Sequence, residues 1–580
     1  MNEQAPIKEA RLFSEQLLIE MTQQLIDRGI VARAQIDELN SRRALTGESL
    51  DRLLIKEGAA KEEEVLTVLS ELTGIPYKHI GDFRIEPEVV QRVQARTAIR
   101  YQVMPVTVDG GVITLATPQV PNLSAADGLR MLLDMAIRWV LCTEADVTKT
   151  IKHFYGLGAE TIDHLVAGLP EDVDLEIKGT DVAEENADEG VVKFVNQIIS
   201  EAIRMDATDI HIEPFEAALR IRYRIDGILQ EIPVPKGVAH LSKAISSCVK
   251  IMADMNIAER RKPHDGRIKV RFGADEFDLR VSVLPSAHGE TVNMRLLSRK
   301  TMFIDLEHLG LTPEQAPAIE YLSSLPHGVV LLTGPTGSGK TTTLYATLAR
   351  INSAAVKIIT VEDPIEYQMP GISQIQAHAH IGLTFATILR SILRHDPDII
   401  LIGEIRDMET ADIAVRASLT GHLVFSTLHT NDAASAVARL IDMGVEPYLV
   451  SSCLEGSIAQ RLVRRICESC KESVQPDSII LDEIRALYPE EIVNANFCKG
   501  RGCPDCNFTG YKGRVALFEI MVLNDVLRGL IVRQRPSNEI KNRAVEHGLV
   551  TLRKDGWSRA MAGMTTVEEV LRVARKADTV

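Results

Sequence analysis

No run of about 18 consecutive apolar residues occurs in the 580-residue chain, so no transmembrane helix is expected. The opening MNEQAPIKEARLF has no apolar h-region and does not read as a secretory signal. Cysteine is scarce: eight residues are too few for a disulfide framework, and four of them fall in paired CxxC spacing. That pattern favours metal binding in a reducing compartment. Neither disorder-type nor collagen-type bias is present, since 45% of residues are hydrophobic and 25% charged, close to the soluble average. The expectation is a cytoplasmic protein of roughly four domains.

The net charge of −15 is unevenly spread. Between residues 159 and 190 there are eleven Asp and Glu against one Lys, which is ten of those negative charges. An acidic, aromatic-free stretch buries too little apolar surface to fold, so 158–190 reads as a flexible linker. Before it, Leu25-Ile26-Asp27-Arg28-Gly29 with Ile36 and Leu39 repeats as Leu54-Ile55-Lys56-Glu57-Gly58 with Val65 and Val68, 29 residues on. Each copy predicts a helix, a Gly stop and a second amphipathic helix. Short apolar strands (YQVMPVTV, VITLAT) and the helical pattern SAADGLRMLLDMA complete an N-terminal region over 1–157.

Residues 191–300 predict a helix and then alternating strands (LRIRYRID, GRIKVRF, EFDLRVSVLP, ETVNMRLL) with arginines on the polar face. Over 301–460, fully apolar strands (GVVLLT, KIITV, DIILIG, HLVFST) alternate with helices, the mark of a parallel sheet buried on both faces. A cysteine-bearing module over 461–515 and helices over 516–580 follow. The fold class is α/β.

Gly334, Pro335, Thr336, Gly337, Ser338, Gly339, Lys340 and Thr341 match GxxxxGK[ST] between the strand GVVLLT and a helical run that includes Thr342. Glycines let backbone N–H groups turn inward around phosphates at a helix N-terminus. Lys340 would reach the β- and γ-phosphates and the Thr341 hydroxyl would coordinate Mg²⁺. The strand Ile399–Ile402 leads through Gly403 to Glu404, a usual place for an acid that holds Mg²⁺ or water, although Asp would commonly precede it. KIITV ends in Glu362-Asp363-Pro364-Ile365-Glu366, and carboxylates at strand C-ends face the nucleotide crevice of a doubly wound sheet. Glu366 or Glu404 could orient the attacking water. His422 and His429 bracket LVFSTL and could sense a γ-phosphate.

GPTGSGKTTTLY, ITVEDPIEY, LRHDPDIILIGEIRD and TGHLVFSTLHTN, in that order, resemble the Walker A, Asp box, Walker B and His box of secretion ATPases. These drive type II secretion and type IV pilus assembly. The resemblance runs from about residue 191 to the end. It implies a homohexamer of RecA-like domains, each preceded by a smaller α/β, PAS-like domain, hydrolysing ATP with Mg²⁺. It also makes the Gly403 departure expected. By resemblance, Glu366 is the base, Glu404 holds Mg²⁺ and its water, and His429 belongs to the site. Arginines around the phosphates would be Arg280 and Arg295 from the smaller domain and Arg390 and Arg394 from the RecA-like one. Arg390 and Arg394 are spaced to share a helix face.

Cys467 and Cys470, then Cys503 and Cys506, form two knuckles with 32 residues between them, four thiolates suited to tetrahedral Zn²⁺. A helical insert, PDSIILDEIRALYP, is predicted between them, with too little apolar content to form a core alone. Cys498 fits neither knuckle. A DNA translocase of the conjugation or uptake type is the alternative, but nine Lys/Arg against eight Asp/Glu over 461–514 is not a nucleic-acid groove. A nucleotide-gated scaffold without turnover is a third class, disfavoured by the intact acids and arginines. The N-terminal region resembles adaptors that dock on an inner-membrane platform, which implies a protein peripheral to that membrane. Some relatives bind cyclic di-GMP there through an Arg-Leu-Gly start. Leu18-Ile19-Glu20 and Thr46-Gly47-Glu48 stand in its place, so that ligand is not expected.

Overall fold

The computed structural model describes residues 14–46, 48–156, 184–234, 236–298 and 306–574. Most of the expected acidic linker, the expected 300/301 boundary between the smaller domain and the ATPase core, and Gly47 lie outside them. Two compact units emerge, one dominated by residues up to Leu297 and the other by residues from Ser298 onward. No helix among the described residues is long and apolar enough to cross a membrane.

In the first unit the repeat takes shape as α1 (Glu15–Asp27), α2 (Arg33–Thr46), α3 (Leu50–Lys56) and α4 (Glu62–Thr73). Leu25 and Leu54, at matching places, are fully buried. The small sheet that follows has the order β1 (Met104–Asp109), β2 (Val112–Thr117), β3 (Ala136–Leu141), with β1 antiparallel and β3 parallel to β2. A helix spans Glu184–Arg204, so the last seven residues of the stretch read as linker are helical. Phe194, Val195 and Ile198 on it are completely buried.

Next comes a six-stranded sheet. It comprises β4 (Ala207–Pro214), β5 (Leu219–Ile225), β6 (Ile228–Ile232), β7 (His264–Phe272), β8 (Asp275–Ser286) and β9 (Gly289–Ser298), ordered β6-β5-β4-β9-β8-β7. The sequence reading missed β4, although it is central. Its polar Asp209 and His211 weaken the apolar alternation, yet Asp209 is buried and accepts a hydrogen bond from Arg295 Nε at 3.0 Å.

The second unit is built on a seven-stranded sheet. Its strands are β10 (Gly328–Thr333), β11 (Ile358–Glu362), β12 (Ser373–Gln376), β13 (Ile399–Ile402), β14 (Leu423–Leu428), β15 (Leu454–Ile466) and, after the short hairpin of β16 (Lys471–Ser473) and β17 (Cys498–Gly500), β18 (Tyr511–Val522). The order is β12-β11-β13-β14-β10-β15-β18, parallel throughout except for the antiparallel β15–β18 pair. Val329 and Leu331 enter one core while Val330 and Leu332 enter the other, so both faces are covered as the uninterrupted apolar runs predict.

The expected boundaries at 460/461 and 515/516 fall inside β15 and β18. A pairing between segments this far apart leaves no local composition shift, so neither strand was anticipated. The helical insert is present as Ser478–Leu487. It does not stand alone: Ile484 is buried, Glu483 accepts from the fully buried Trp557 Nε1 at 3.1 Å, and Tyr488 donates to Lys554 O at 2.9 Å.

The C-terminal helix Val567–Val573 is fastened to β15 by Glu569, whose side chain is 2% exposed. Burial alone would raise its pKa, but Arg572 and Arg464 hold it at about 2. A depressed carboxylate contributes stability above its unfolded value and loses it as pH falls through the folded one. The C-terminal helices should therefore loosen only in strong acid. Glu569→Gln should cost about 2 kcal/mol at neutral pH, because the part-buried Arg464 loses its charged acceptor, while the exposed Arg572 can turn to water. Chemical denaturation followed at the C-terminal helices checks this, and an unchanged midpoint would count against it.

Candidate functional site

Strands β10, β11, β13 and β14 are adjacent and parallel, so their C-terminal ends meet along one edge. Beyond β10, the loop from Gly334 turns into the helix Lys340–Ile351. Gly339 sits at φ +88°, and a Cβ there would lie 2.8 Å from Gln460 Nε2, so only glycine fits this turn. Lys340 Nζ donates to the carbonyls of Gly334 at 2.7 Å and Pro335 at 3.0 Å. Burial pushes the Lys340 ammonium down to about 8, partly offset by the Glu404 carboxylate and reinforced by the Arg461 charge. Ser338 Oγ is buried with no hydrogen-bond partner among the described residues, while Thr341 and Thr342 are exposed. A buried cation, an orphaned hydroxyl and free hydroxyls at a helix N-terminus form a donor set that suits phosphate and its metal.

Past β13, two strands along the sheet from β10, Glu404 is 17% exposed and lies between Arg406 and His429, whose Nε2 is 3.3 Å from Glu404 Oε2. Burial alone would raise its pKa, but Arg406 and His429 hold the carboxyl below its ordinary range. Glycine before this acid has a steric reason: a Cβ on Gly403 would meet Val361 O at 3.3 Å and Glu362 Cα at 3.4 Å.

The three acids after β11 separate. Glu362 is 4% exposed and saturated by Tyr345 Oη, Thr360 Oγ1 at 2.6 Å and Gln374 Nε2 at 3.1 Å, which makes it a sheet support. Asp363 is exposed and Glu366 half-buried. His422 sits at the opposite end of β14, its Nδ1 2.8 Å from Ala417 O at the end of the helix Met408–Leu419. It caps that helix, which removes it from any phosphate-sensing pair with His429.

The arginines have protein partners. Arg390 binds Glu409, and Arg394, just past the helix Phe385–Ile392, donates to Arg390 O at 2.8 Å. They therefore do not share one helix face, because the helix ends between them. Arg280 is half-buried on β8, and Arg295 is held by Asp209. Sequence reading missed Gln460 and Arg461. Both are buried on β15, where Gln460 Oε1 accepts from Thr343 at 2.8 Å. Two long polar residues inside the apolar run LEGSIAQRLVRRI were the only signal.

The thiols of Cys467, Cys470, Cys503 and Cys506 are all buried, and their sulfurs lie within 4.8 Å of one another. Tetrahedral zinc with Zn–S of about 2.3 Å needs sulfurs about 3.8 Å apart. Cys503 and Cys506 are at 3.7 Å. The group fits a metal. Cys498 stands apart, its thiol 3.5 Å from Asn496 O.

The family model described as "Type II/IV secretion system protein" matches residues 184–572, and that described as "MshEN domain" matches 73–161. The type IV pilus assembly ATPase PilB of Myxococcus xanthus is 40% identical over 554 residues, covering 94% of this chain and 97% of that protein. Type II secretion system protein E of Xanthomonas campestris is 43% identical over 547 residues, covering 92% and 94%. Among solved structures, the pilus retraction motor PilT with bound ADP is 27% identical, with a TM-score of 0.45 over 65% of this chain and 96% of that one.

Anion binding to the loop should depend on the charge of Lys340. With its pKa at about 8, affinity for a nucleoside triphosphate should be full below that pH and fall above it. Equilibrium titrations between about pH 6 and 10 read this directly. A flat profile across that range would show that Lys340 carries no part of the binding.

Proposed function

Because the chain belongs to the type II/IV secretion system protein family, we propose that it hydrolyses ATP to drive pseudopilus or pilus assembly. The observation that carries the reading is the meeting, on one sheet edge, of the phosphate loop, the ionised Glu404 with His429, and the segment bearing Glu366. Lys340 and the loop amides bind the phosphates, and the Thr341 hydroxyl and Glu404 hold Mg²⁺. When bound, Mg²⁺ neutralises charge on the phosphate oxygens. Glu366 takes the proton of the attacking water, and His429 keeps Glu404 aimed.

Arg280, Arg295, Arg390 and Arg394 add charge to the transition state in a closed homohexamer. Arg295 must then leave Asp209, and Arg390 must leave Glu409, so turnover is coupled to rearrangement within each unit. The four thiols hold structural Zn²⁺. The N-terminal region docks on an inner-membrane platform, which keeps the motor on the cytoplasmic side. Gly403, the acids and the thiol cluster support this assignment.

The unaltered chain should release phosphate from ATP, and Lys340→Ala should abolish nucleotide binding. Glu366→Gln should retain ATP yet lose about 10²–10⁴ in hydrolysis, because an amide accepts no proton. Hydrolysis at the native rate by Glu366→Gln would move the base to Glu404.

Elemental analysis should find one zinc per chain. Cys503→Ser should lower that content and raise protease sensitivity at the knuckles. The helix Ser478–Leu487 should resist, since it packs on Trp557 and Lys554. Substoichiometric zinc that does not rise on reconstitution would refute the site.

A further inference from the structure

Arg461 is a buried cation, 8% exposed, on β15 directly beside the phosphate-loop strand. Its Nη1 donates to Gln460 O at 3.0 Å and its Nη2 to Asn431 O at 2.6 Å. A Cβ on Gly334 would lie 3.0 Å from Nη1, so the guanidinium rests on the first residue of the phosphate loop. Burial lowers its pKa, and the carboxylates of Glu519 and Asp432 oppose that. Burying such a charge is costly unless its planar fork of donors is used.

Asn431 lies two residues past His429 in the turn that leaves β14. The start of that turn is fixed by Gly334 N–H donating to Leu428 O at 3.3 Å. Its far end is fixed by Ala433 N–H donating to Glu519 at 3.0 Å and by Lys541 on Asp432 at 2.9 Å. Between these anchors the Arg461 side chain reaches both the turn and the loop, and Thr333 Oγ1, at the end of β10, also donates to Asp432 O at 3.5 Å.

We propose that Arg461 is a positioning residue for ATP turnover: it sets the separation between the phosphate loop and the turn carrying His429, and so aims His429 and Glu404 at the terminal phosphate. This rests on the ATPase reading above. Lysine at 461 keeps the charge but offers one point of donation, so it does not hold the turn while packing on Gly334. Misplacement by about 1 Å at a reacting centre costs on the order of 10²-fold in rate.

The test compares full-length Arg461→Lys, Arg461→Gln, His429→Ala and the Arg461→Lys, His429→Ala double variant in kcat, KM and equilibrium binding of ATP and ADP. Arg461→Lys should lose at least about tenfold in kcat with KM changed less than about threefold, the signature of a group acting after binding. In the His429→Ala background the same change should have almost no further effect, because both act through one element. Losses that multiply, a native kcat, or lost ATP binding in both Arg461 variants would each overturn the proposal. The last of these would make Arg461 a support of the loop. If the unaltered chain binds ATP without turning it over, the ATPase reading itself fails. Arg461 is then judged by binding alone: its lysine variant should lose preference for ATP over ADP with ADP affinity unchanged, and an unchanged preference overturns the proposal.

Discussion

The antiparallel pairing of β15 with β18 is the constraint on which much of the second unit depends. It runs from Gly456 opposite Val522 to Ile466 opposite Tyr511, and it closes the sheet on the side of the phosphate-loop strand. On one flank, β15 pairs with β10 and presents Gln460 and Arg461 to the loop. At its far end the strands stop where the knuckles begin, since Cys467 directly follows Ile466. One ladder therefore supports both the nucleotide loop and the thiol group. Side chains alone could not substitute for it, because the buried backbone of β15 must find hydrogen-bond partners on both edges.

Function of this kind is exacting where charge meets burial. Glu404, Lys340 and Arg461 are all at least partly withdrawn from water, and each is tolerable only because a neighbour of opposite sign or a carbonyl stands close. Glu362 shows the other outcome. It is an acid in the same neighbourhood whose oxygens are consumed by Tyr345, Thr360 and Gln374. Glu362, four residues before Glu366, thus serves the sheet.

Much of this was legible in the sequence because phosphate binding imposes local spacing. The loop, the Gly403-Glu404 strand end, His429 and the cysteine knuckles each declare themselves within a dozen residues. The doubly buried strands did so through unbroken apolar runs. What escaped depends on partners far along the chain. β15 and β18 were missed because their pairing joins distant segments, and β4 and β15 also carry polar residues that are polar for tertiary reasons: Asp209 meets Arg295, and Arg461 meets Asn431. His422 misled because bracketing a strand says nothing about which end faces the crevice. The i, i+4 spacing of Arg390 and Arg394 misled because the helix stops at Ile392.

The chain has two tryptophans, and the fold deals one to each unit: Trp139, 6% exposed, in the first and Trp557, fully enclosed, in the second. Trp557 also donates its indole N–H to Glu483 on the helix between the cysteine knuckles. A single Trp→Phe exchange therefore leaves a fluorophore native to one unit alone. Retained at 557, it sits at the seam between the C-terminal helices and that insert, so its emission colour becomes an optical readout of whether the insert is docked.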